Sequence, residues 1–506
     1  MKKNSIMIQG TGSSVGKSIM VAGLCRVMMQ DGYNVSPFKS QNMALNSYIT
    51  ENGLEMGRAQ VVQAEACGKK PSVKMNPILL KPSAEKKAQV IVNGKVYSNM
   101  SAKEYHEYKL ELKDVVKKAY VSLSNESDFV VIEGAGSPAE INLREKDIVN
   151  MGMAEISDSP VIIVGDIDKG GVFASLYGTI MLLTEKERQR VKGVIINKFR
   201  GDIEILKPGL KMLENLIKLP VLGVMPLIDV QIEDEDSLSD RVKKSYSKKA
   251  QINVEVLYLP HVSNFTDFDV FETQNDVNLR YVMRGESINN PDILIIPGSK
   301  NTIEDLVYLK NTGLDEQIIR LSKRGKYVVG ICGGYQILGR KIRDPHFTES
   351  AINEINGIGL LSVETVFDIE KVTTQAIGTI DGAFGEDFKN KEFEVKGYEI
   401  HMGESKLIDG AKHFINLNMR LDKEVNIKDG SINEQGNVFG TYMHGIFDNL
   451  EFTRFLLNNI RKEKGLDEIE NAGMKYSDFK EIQYNKLADS VRKNIDMEKI
   501  YDILKC

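Results

Sequence analysis

The 506-residue chain is short of several features that would each define a class of protein. Only four cysteines occur, at positions 25, 67, 332 and 506, and they form no CxxC pair and no metal-ligand spacing. A disulfide framework and a cysteine-held metal are thereby set aside, as suits a reducing cytoplasm. No apolar run approaches the roughly 18–20 residues that a spanning helix needs. Near the N-terminus Ile6-Met7-Ile8 gives way at Gln9 to a glycine-rich loop, too short a stretch for a signal h-region. A soluble, cytoplasmic protein with no membrane partner is expected. Basic residues are not in excess either: 66 Lys and Arg against 71 Asp and Glu leave a net charge of −5. Dedicated nucleic-acid binding is disfavoured, since no surplus is left to neutralise a phosphate backbone. Fixed-period repeats and low-complexity tracts are absent as well.

What remains is an ordinary globular composition, 42% hydrophobic and 27% charged, in a chain long enough for two or three domains. Short apolar runs alternate with helical patterns at 5–9, 34–38, 129–133, 161–166, 194–197 and 221–225, which predicts a parallel sheet covered on both faces. Between Gln231 and Gln251 the apolar pattern stops: Glu233-Asp-Glu-Asp236 precedes a stretch rich in lysine. A second series, at 252–259, 293–296, 327–331, 360–367 and 438–442, predicts another α/β unit with some antiparallel strands near its middle. From Glu451 onward the pattern is charged and helical, interrupted by Gly465 and Gly473. The expected domains are 1–235, a linker at 236–250, 251–450, and a C-terminal helical extension over 451–506.

The first candidate site is the loop Gly10-Thr11-Gly12-Ser13-Ser14-Val15-Gly16-Lys17-Ser18, between an apolar strand and a helix with Met20, Val21, Leu24, Cys25 and Met28 on one face. Gly32 is a suitable stop for that helix. Such a loop aims backbone N–H groups at a polyphosphate, Lys17 reaches its terminal phosphates, and the Ser18 hydroxyl suits Mg²⁺, so ATP binding is predicted. The usual spacing places the first glycine where Thr11 stands, one residue after Gly10. Glu133 closes the apolar run Phe129-Val-Val-Ile-Glu133 at the position of a carboxylate facing Mg²⁺. Asp166 and Asp168 follow another strand and are either ligand contacts or solvated turn acids. Asn197, at the end of a further strand, either reads a base edge or caps a turn.

The second candidate site is Val328-Val-Gly-Ile-Cys332-Gly333-Gly334-Tyr-Gln, a cysteine between a strand and a helix and flanked by glycines. A sharp turn there exposes the sulfur, and adjacent N–H groups can hold an oxyanion. The thiol needs a base. His444, at the end of Gly440-Thr-Tyr-Met-His444, is the best placed of six histidines, with His401 in Gly397-Tyr-Glu399-Ile-His401 as its rival.

With both sites in view, the chain resembles the cobyric acid synthase family over essentially its whole length. Its first part is similar to dethiobiotin synthetase, whose longer phosphate loop accounts for the place of Gly10. Its second part resembles class I glutamine amidotransferases of the cobyric acid and cobyrinic acid diamide type. The more specific matches are Phe38-Lys39-Ser-Gln41-Asn42-Met-Ala-Leu-Asn46-Ser, Glu55-Met-Gly-Arg58-Ala-Gln60, Asn76-Pro-Ile-Leu-Leu-Lys81-Pro, and residues 165–173.

The resemblance implies two doubly wound α/β domains, one P-loop NTPase-like and one class I amidotransferase-like, with the C-terminal helical extension. It implies ATP- and glutamine-dependent amidation of the b, d, e and g carboxylates of adenosylcobyrinic acid a,c-diamide. Glutamine, ATP and a corrinoid carboxylate would be the small-molecule partners, with Mg²⁺ required and no tightly bound organic cofactor. Ammonia would need a shielded path between the domains. Carried onto this chain, Cys332 is the nucleophile and His444 the catalytic histidine. Gly298, in Pro297-Gly298-Ser-Lys-Asn-Thr302, and Gly333 supply the oxyanion hole. Lys39, Gln41, Asn42, Asp147, Asp166 and Asp168 would face the acid substrate, and Glu55 would be a second Mg²⁺ ligand. One departure stands out: ordinary class I triads carry a glutamate two residues past the histidine, where this chain has Ile446. Glu399 is the candidate to replace it. Two other readings stay open: an amidotransferase for another acid, such as cobyrinic acid at its a and c positions, and a partitioning-ATPase-like switch with an inactive second domain. The intact Cys332 and His444 speak against the switch.

Overall fold

Continuous β-branched and apolar runs such as Val161-Ile-Ile-Val164 cannot alternate an apolar face with a wet one, so they settle where both faces are covered. In the computed structural model they do. The structure describes residues 4–84, 87–232, 250–381, 391–470 and 474–505. The expected linker at 236–250, residue 250 apart, lies outside the described residues, as do Gly473 and Cys506. The chain forms two units: Met1–Ala44, Met56–Glu235 and Lys480–Cys506 make the first, and Leu45–Glu55 and Asp236–Phe479 the second.

The first unit is built on six parallel strands in the order Val221–Pro226, Val191–Phe199, Val161–Asp166, Ser5–Gly10, Phe129–Glu133 and Val35–Phe38. Every residue of Ser5–Gly10 and Val161–Asp166 is buried. The phosphate loop leads into the helix Lys17–Gln30, and Gly32 follows its end with φ of 89°. A smaller four-stranded sheet carries Gln41–Met43 beside Ile78–Ala84.

The second unit has its own sheet, in the order Val277–Val282, Ile252–Leu257, Ile293–Ile296, Tyr327–Ile331, Val438–Thr441 and Ser431–Ile432. All pair in parallel except the last. The antiparallel strands expected near the middle are the long partners Val363–Asp381 and Glu392–Leu407, part of a seven-stranded sheet that also takes in Met443–His444. Among the described residues no helix is long and apolar enough to cross a membrane. Cys25, Cys67 and Cys332 are free and buried.

The C-terminal segment does not act as one extension. The helix Leu450–Glu463 is part of the second unit, where Arg454 and Arg461 share the buried carboxylate of Asp276 at 2.9 and 3.1 Å. Residues 480–505 pack instead on the first unit, with Tyr484, Leu487, Ala488, Val491, Ile495, Ile500 and Leu504 buried among residues of the Lys17–Gln30 helix and the sheet. Gly23 permits the approach, because a Cβ there would lie 2.7 Å from a methyl of Val491. Arg26 secures it through Glu481 at 2.5 Å and Asn485 at 2.9 Å. Hydrophobic spacing shows that a segment is helical and amphipathic. It does not show which core receives it.

Leu487 is fully buried in this core. Leu487→Ala is expected to destabilise the first unit by about 2–5 kcal/mol, read as a lowered midpoint of chemical denaturation; an unchanged midpoint would contradict the packing described.

Candidate active sites

In the first unit the loop after Ser5–Gly10 turns back on itself because Ser14 and Gly16 adopt φ of 58° and 95°. A side chain at Gly16 would meet the Asn197 amide at 2.1 Å, so glycine is required there on both counts. Asn197 Nδ2 donates to the Val15 carbonyl at 2.9 Å. Of the two roles open to Asn197 in the sequence, the structure shows it holding loop backbone. Lys17 arches over the loop and donates to the carbonyls of Gly12 at 2.8 Å and Gly136 at 3.1 Å.

Glu133, 1% exposed, is the hub of this region. Its Oε1 accepts from the Ser18 hydroxyl at 2.8 Å and from Lys39 Nζ at 3.0 Å, and its Oε2 from Gln63 Nε2 at 2.5 Å. Ser18 and Glu133, expected separately as Mg²⁺ ligands, are thus brought together. Gln63 was not singled out by its sequence. It lies on the helix Arg58–Ala66, and its only sequence signal is proximity to the Glu55–Gln60 motif. Among the described residues no group of three or more His, Cys, Asp or Glu could hold a metal ion. One carboxylate and one hydroxyl suit an Mg²⁺ ion that completes its shell with phosphate and water oxygens.

The expected substrate contacts take varied positions. Asp147 Oδ1 accepts from the N–H groups of Val149 and Asn150 at 2.7 and 3.0 Å, and its Oδ2 from Gly152 at 2.9 Å, a scaffolding set of bonds. Asn150 in turn clamps both backbone groups of Ala135, beside Gly136. Asp166 pairs with Lys198 at 3.0 Å and accepts from the Asp168 N–H, while Asp168 pairs with the exposed Arg200 at 3.1 Å. Gln41 accepts from Tyr105 at 2.6 Å and Asn42 donates to Gln60 at 3.0 Å. Glu55 is counted with the second unit, where it accepts from Lys371 Nζ at 2.6 Å, whereas Ser18 and Glu133 are in the first.

In the second unit Cys332 stands at the C-terminal end of Tyr327–Ile331, immediately before the helix Gly333–Leu338. Its φ of 52° and ψ of −109° are strained for a residue with a side chain, as an elbow demands. Gly334 lets the turn press so close to the sheet that a Cβ there would lie 2.0 Å from the Ile296 carbonyl. The Cys332 thiol donates to the Ile400 carbonyl at 3.5 Å. The Gly333 N–H is one of the first amides of its helix, which have no intrahelical acceptor. A Cβ on Gly298 would lie 3.2 Å from His444 Cε1, and one on Gly333 would lie 2.9 Å from the Ser299 N. Cys332, Gly298, Gly333 and His444 therefore converge.

His444, 1% exposed, shares a 2.6 Å hydrogen bond between its Nδ1 and Asp267 Oδ2. The carboxylate can only accept, which places the Nδ1 proton between the two groups and turns Nε2 toward the reaction. Among the described residues His444 Nε2 has no hydrogen-bond partner. Burial works against charge on this imidazole, but the Asp267 carboxylate and the Cys332 sulfur outweigh it and raise its pKa to about 10. The Tyr398 ring stacks on the imidazole at 5.1 Å and 12°.

Asp267 thus corrects the expectation that Glu399 completes the site. Glu399 is held by Arg420 Nε at 2.7 Å and its terminal nitrogen at 2.8 Å, and lies 3.7 Å from His401 rather than against His444. His401, the rival base, is stacked on Tyr442 and bonded to the Gly403 carbonyl at 3.1 Å. Asp267 escaped notice because it precedes His444 by 177 residues. The available signal was an acid set among aromatics in Phe265-Thr-Asp267-Phe-Asp-Val-Phe271.

A phosphate-loop unit joined to a unit with a cysteine elbow and a carboxylate-backed histidine defines a glutamine amidotransferase coupled to a nucleotide-using domain. Comparison with known proteins agrees. The CobQ/CobB/MinD/ParA nucleotide binding domain family matches residues 6–238, and the CobB/CobQ-like glutamine amidotransferase domain family matches residues 253–452. The chain is 57% identical to the cobyric acid synthase of Alkaliphilus metalliredigens (strain QYMF) over 99% of both chains. It is 55% identical to that of Clostridium novyi (strain NT) over 100% of this chain and 98% of that one. The chain belongs to the cobyric acid synthase family. A solved glutamine amidotransferase from Thermotoga maritima aligns at 14% identity and a TM-score of 0.28 over 48% of this chain and 97% of that one.

Removing the charge of Asp267 tests the site. Asp267→Asn is expected to lower glutamine hydrolysis by about 10²–10⁴-fold. The folded pKa of His444, about 10, lies above the ordinary 6.5, so the pair stabilises the fold fully below pH 6.5 and loses that contribution as pH rises through 10. The stability deficit of Asp267→Asn should therefore be greatest near and below pH 6.5 and should fade toward pH 10, measured by denaturation across pH.

Proposed function

We propose that the chain amidates the b, d, e and g carboxylates of adenosylcobyrinic acid a,c-diamide, using ATP to activate each acid and glutamine as the nitrogen source. The observation that carries this reading is the convergence of Cys332, His444 and Asp267 in a chain whose other unit holds a phosphate loop against Glu133. The corrinoid substrate is taken from the cobyric acid synthases to which the chain is similar along its whole length.

A carboxylate does not yield to ammonia until an oxygen is made a leaving group, and transfer of a phosphoryl group from ATP does this. Loop amides and Lys17 would cradle the phosphates. Ser18 and Glu133 would hold Mg²⁺, which neutralises charge developing on them. Lys39 and Gln63 fix the Glu133 carboxylate in place.

In the second unit Cys332 passes its thiol proton to His444 Nε2 and its sulfur attacks the glutamine amide carbon. The oxyanion that forms lies against the N–H groups of Gly298 and Gly333. His444 Nε2 gives its proton to the departing nitrogen, Asp267 stabilising the imidazolium until then. Ammonia leaves and a glutamyl thioester remains. Water activated by the neutral imidazole then releases glutamate.

Incubation with ATP, Mg²⁺, glutamine and the a,c-diamide should add four amides by mass spectrometry. A product with no added amide would overturn the substrate assignment, and turnover of cobyrinic acid itself at two positions would favour the diamide synthase reading. Cys332→Ala should abolish turnover with glutamine and spare turnover with added ammonia, whereas Lys17→Ala should abolish it with either nitrogen source. Survival of glutamine-dependent turnover in Cys332→Ala would refute the nucleophile assignment.

A further inference from the structure

Between Ala44 and Met56 the chain leaves the nucleotide-binding unit, and the intervening arm, Leu45–Glu55, belongs to the amidotransferase unit. Contacts hold this arm along its length. The Ser47 N–H donates to Asn264 Oδ1 at 3.0 Å, and the Ser47 carbonyl accepts from the Tyr398 hydroxyl at 3.5 Å. Ile49 is buried against Tyr398 and Ile400, and its carbonyl accepts from Gln375. The Tyr48 ring lies 5.5 Å from that of Tyr398, tilted by 59°.

Three partners of the arm, Tyr398, Asn264 and Ile400, also touch the glutaminase site. Tyr398 stacks on His444. Asn264, held at φ of 53°, opens the segment Phe265–Thr273 that carries Asp267. Ile400 supplies the carbonyl that accepts from Cys332. The Tyr48 ring of the arm thus lies against the same Tyr398 ring that stacks on His444.

We propose that Tyr48 and Ser47 are positioning residues for glutamine hydrolysis, the arm holding Tyr398 against His444 and Asn264 ahead of Asp267. The proposal rests on the assignment of Cys332, His444 and Asp267 to that reaction. A histidine that must pass a proton between sulfur and nitrogen tolerates little displacement, so slackening the stack costs rate rather than glutamine affinity.

The test uses the full chain and measures glutamate release, and corrinoid amidation with added ammonium. Tyr48→Ala should lower kcat for glutamine hydrolysis by about tenfold or more with a nearly unchanged KM, and should shift the pH profile of kcat. Amidation with ammonium should proceed at the wild-type rate. Tyr48→Phe, which keeps the ring, should restore hydrolysis, and Asn264→Ala should reproduce the kcat loss. A wild-type kcat and pH profile in Tyr48→Ala would overturn the proposal, as would an equal loss of ammonium-driven amidation, which would mark Tyr48 as merely structural. Cys332→Ala run in parallel separates the two readings: if it still hydrolyses glutamine, the site assignment fails rather than the role of the arm.

Discussion

The second unit turns on one buried contact, the 2.6 Å bond between Asp267 and His444. Neither group is at ease away from water alone: burial disfavours a charged imidazole and an unpaired carboxylate equally. Together they make a stable pair whose proton is retained to about pH 10 and whose second ring nitrogen faces the cysteine elbow. Much of the surrounding architecture holds this arrangement. Tyr398 covers one face of the imidazole, and Gly298 keeps the strand end small enough for His444 to sit beside it.

The first unit solves a similar problem with opposite signs. Glu133 is a buried carboxyl group, and it is tolerable because a hydroxyl, an ammonium and an amide all donate to it. Both units place these site groups at the carboxyl ends of parallel strands, where the chain must leave the sheet and where backbone N–H groups turn outward. Cys332 follows Tyr327–Ile331, Glu133 ends Phe129–Glu133, and the phosphate loop follows Ser5–Gly10.

The strands of both parallel sheets were largely legible in the sequence, because a strand buried on both faces has to be a short unbroken apolar run. The phosphate loop and the elbow were legible for another reason: Gly10, Gly16, Gly333 and Gly334 stand where close approach or positive φ forbids a side chain. The division of the C-terminal helices between two cores was not legible, since an amphipathic face is the same whichever core covers it. The membership of Leu45–Glu55 in the second unit was hidden likewise, because the chain there is continuous with Lys39, Gln41 and Asn42.

The sequence by itself determined the two α/β units, the phosphate loop, and the placing of Cys332 and His444 at the ends of apolar strands, since each depends on neighbours a few positions away. Tertiary structure alone decided that Asp267 rather than Glu399 backs the histidine, that Gln63 and Lys39 share Glu133, and that the Tyr48 ring meets that of Tyr398. Those contacts join residues far apart in the chain, and a pairing of that kind leaves no periodicity or spacing to read. It is set only when the sheets bring their strand ends together.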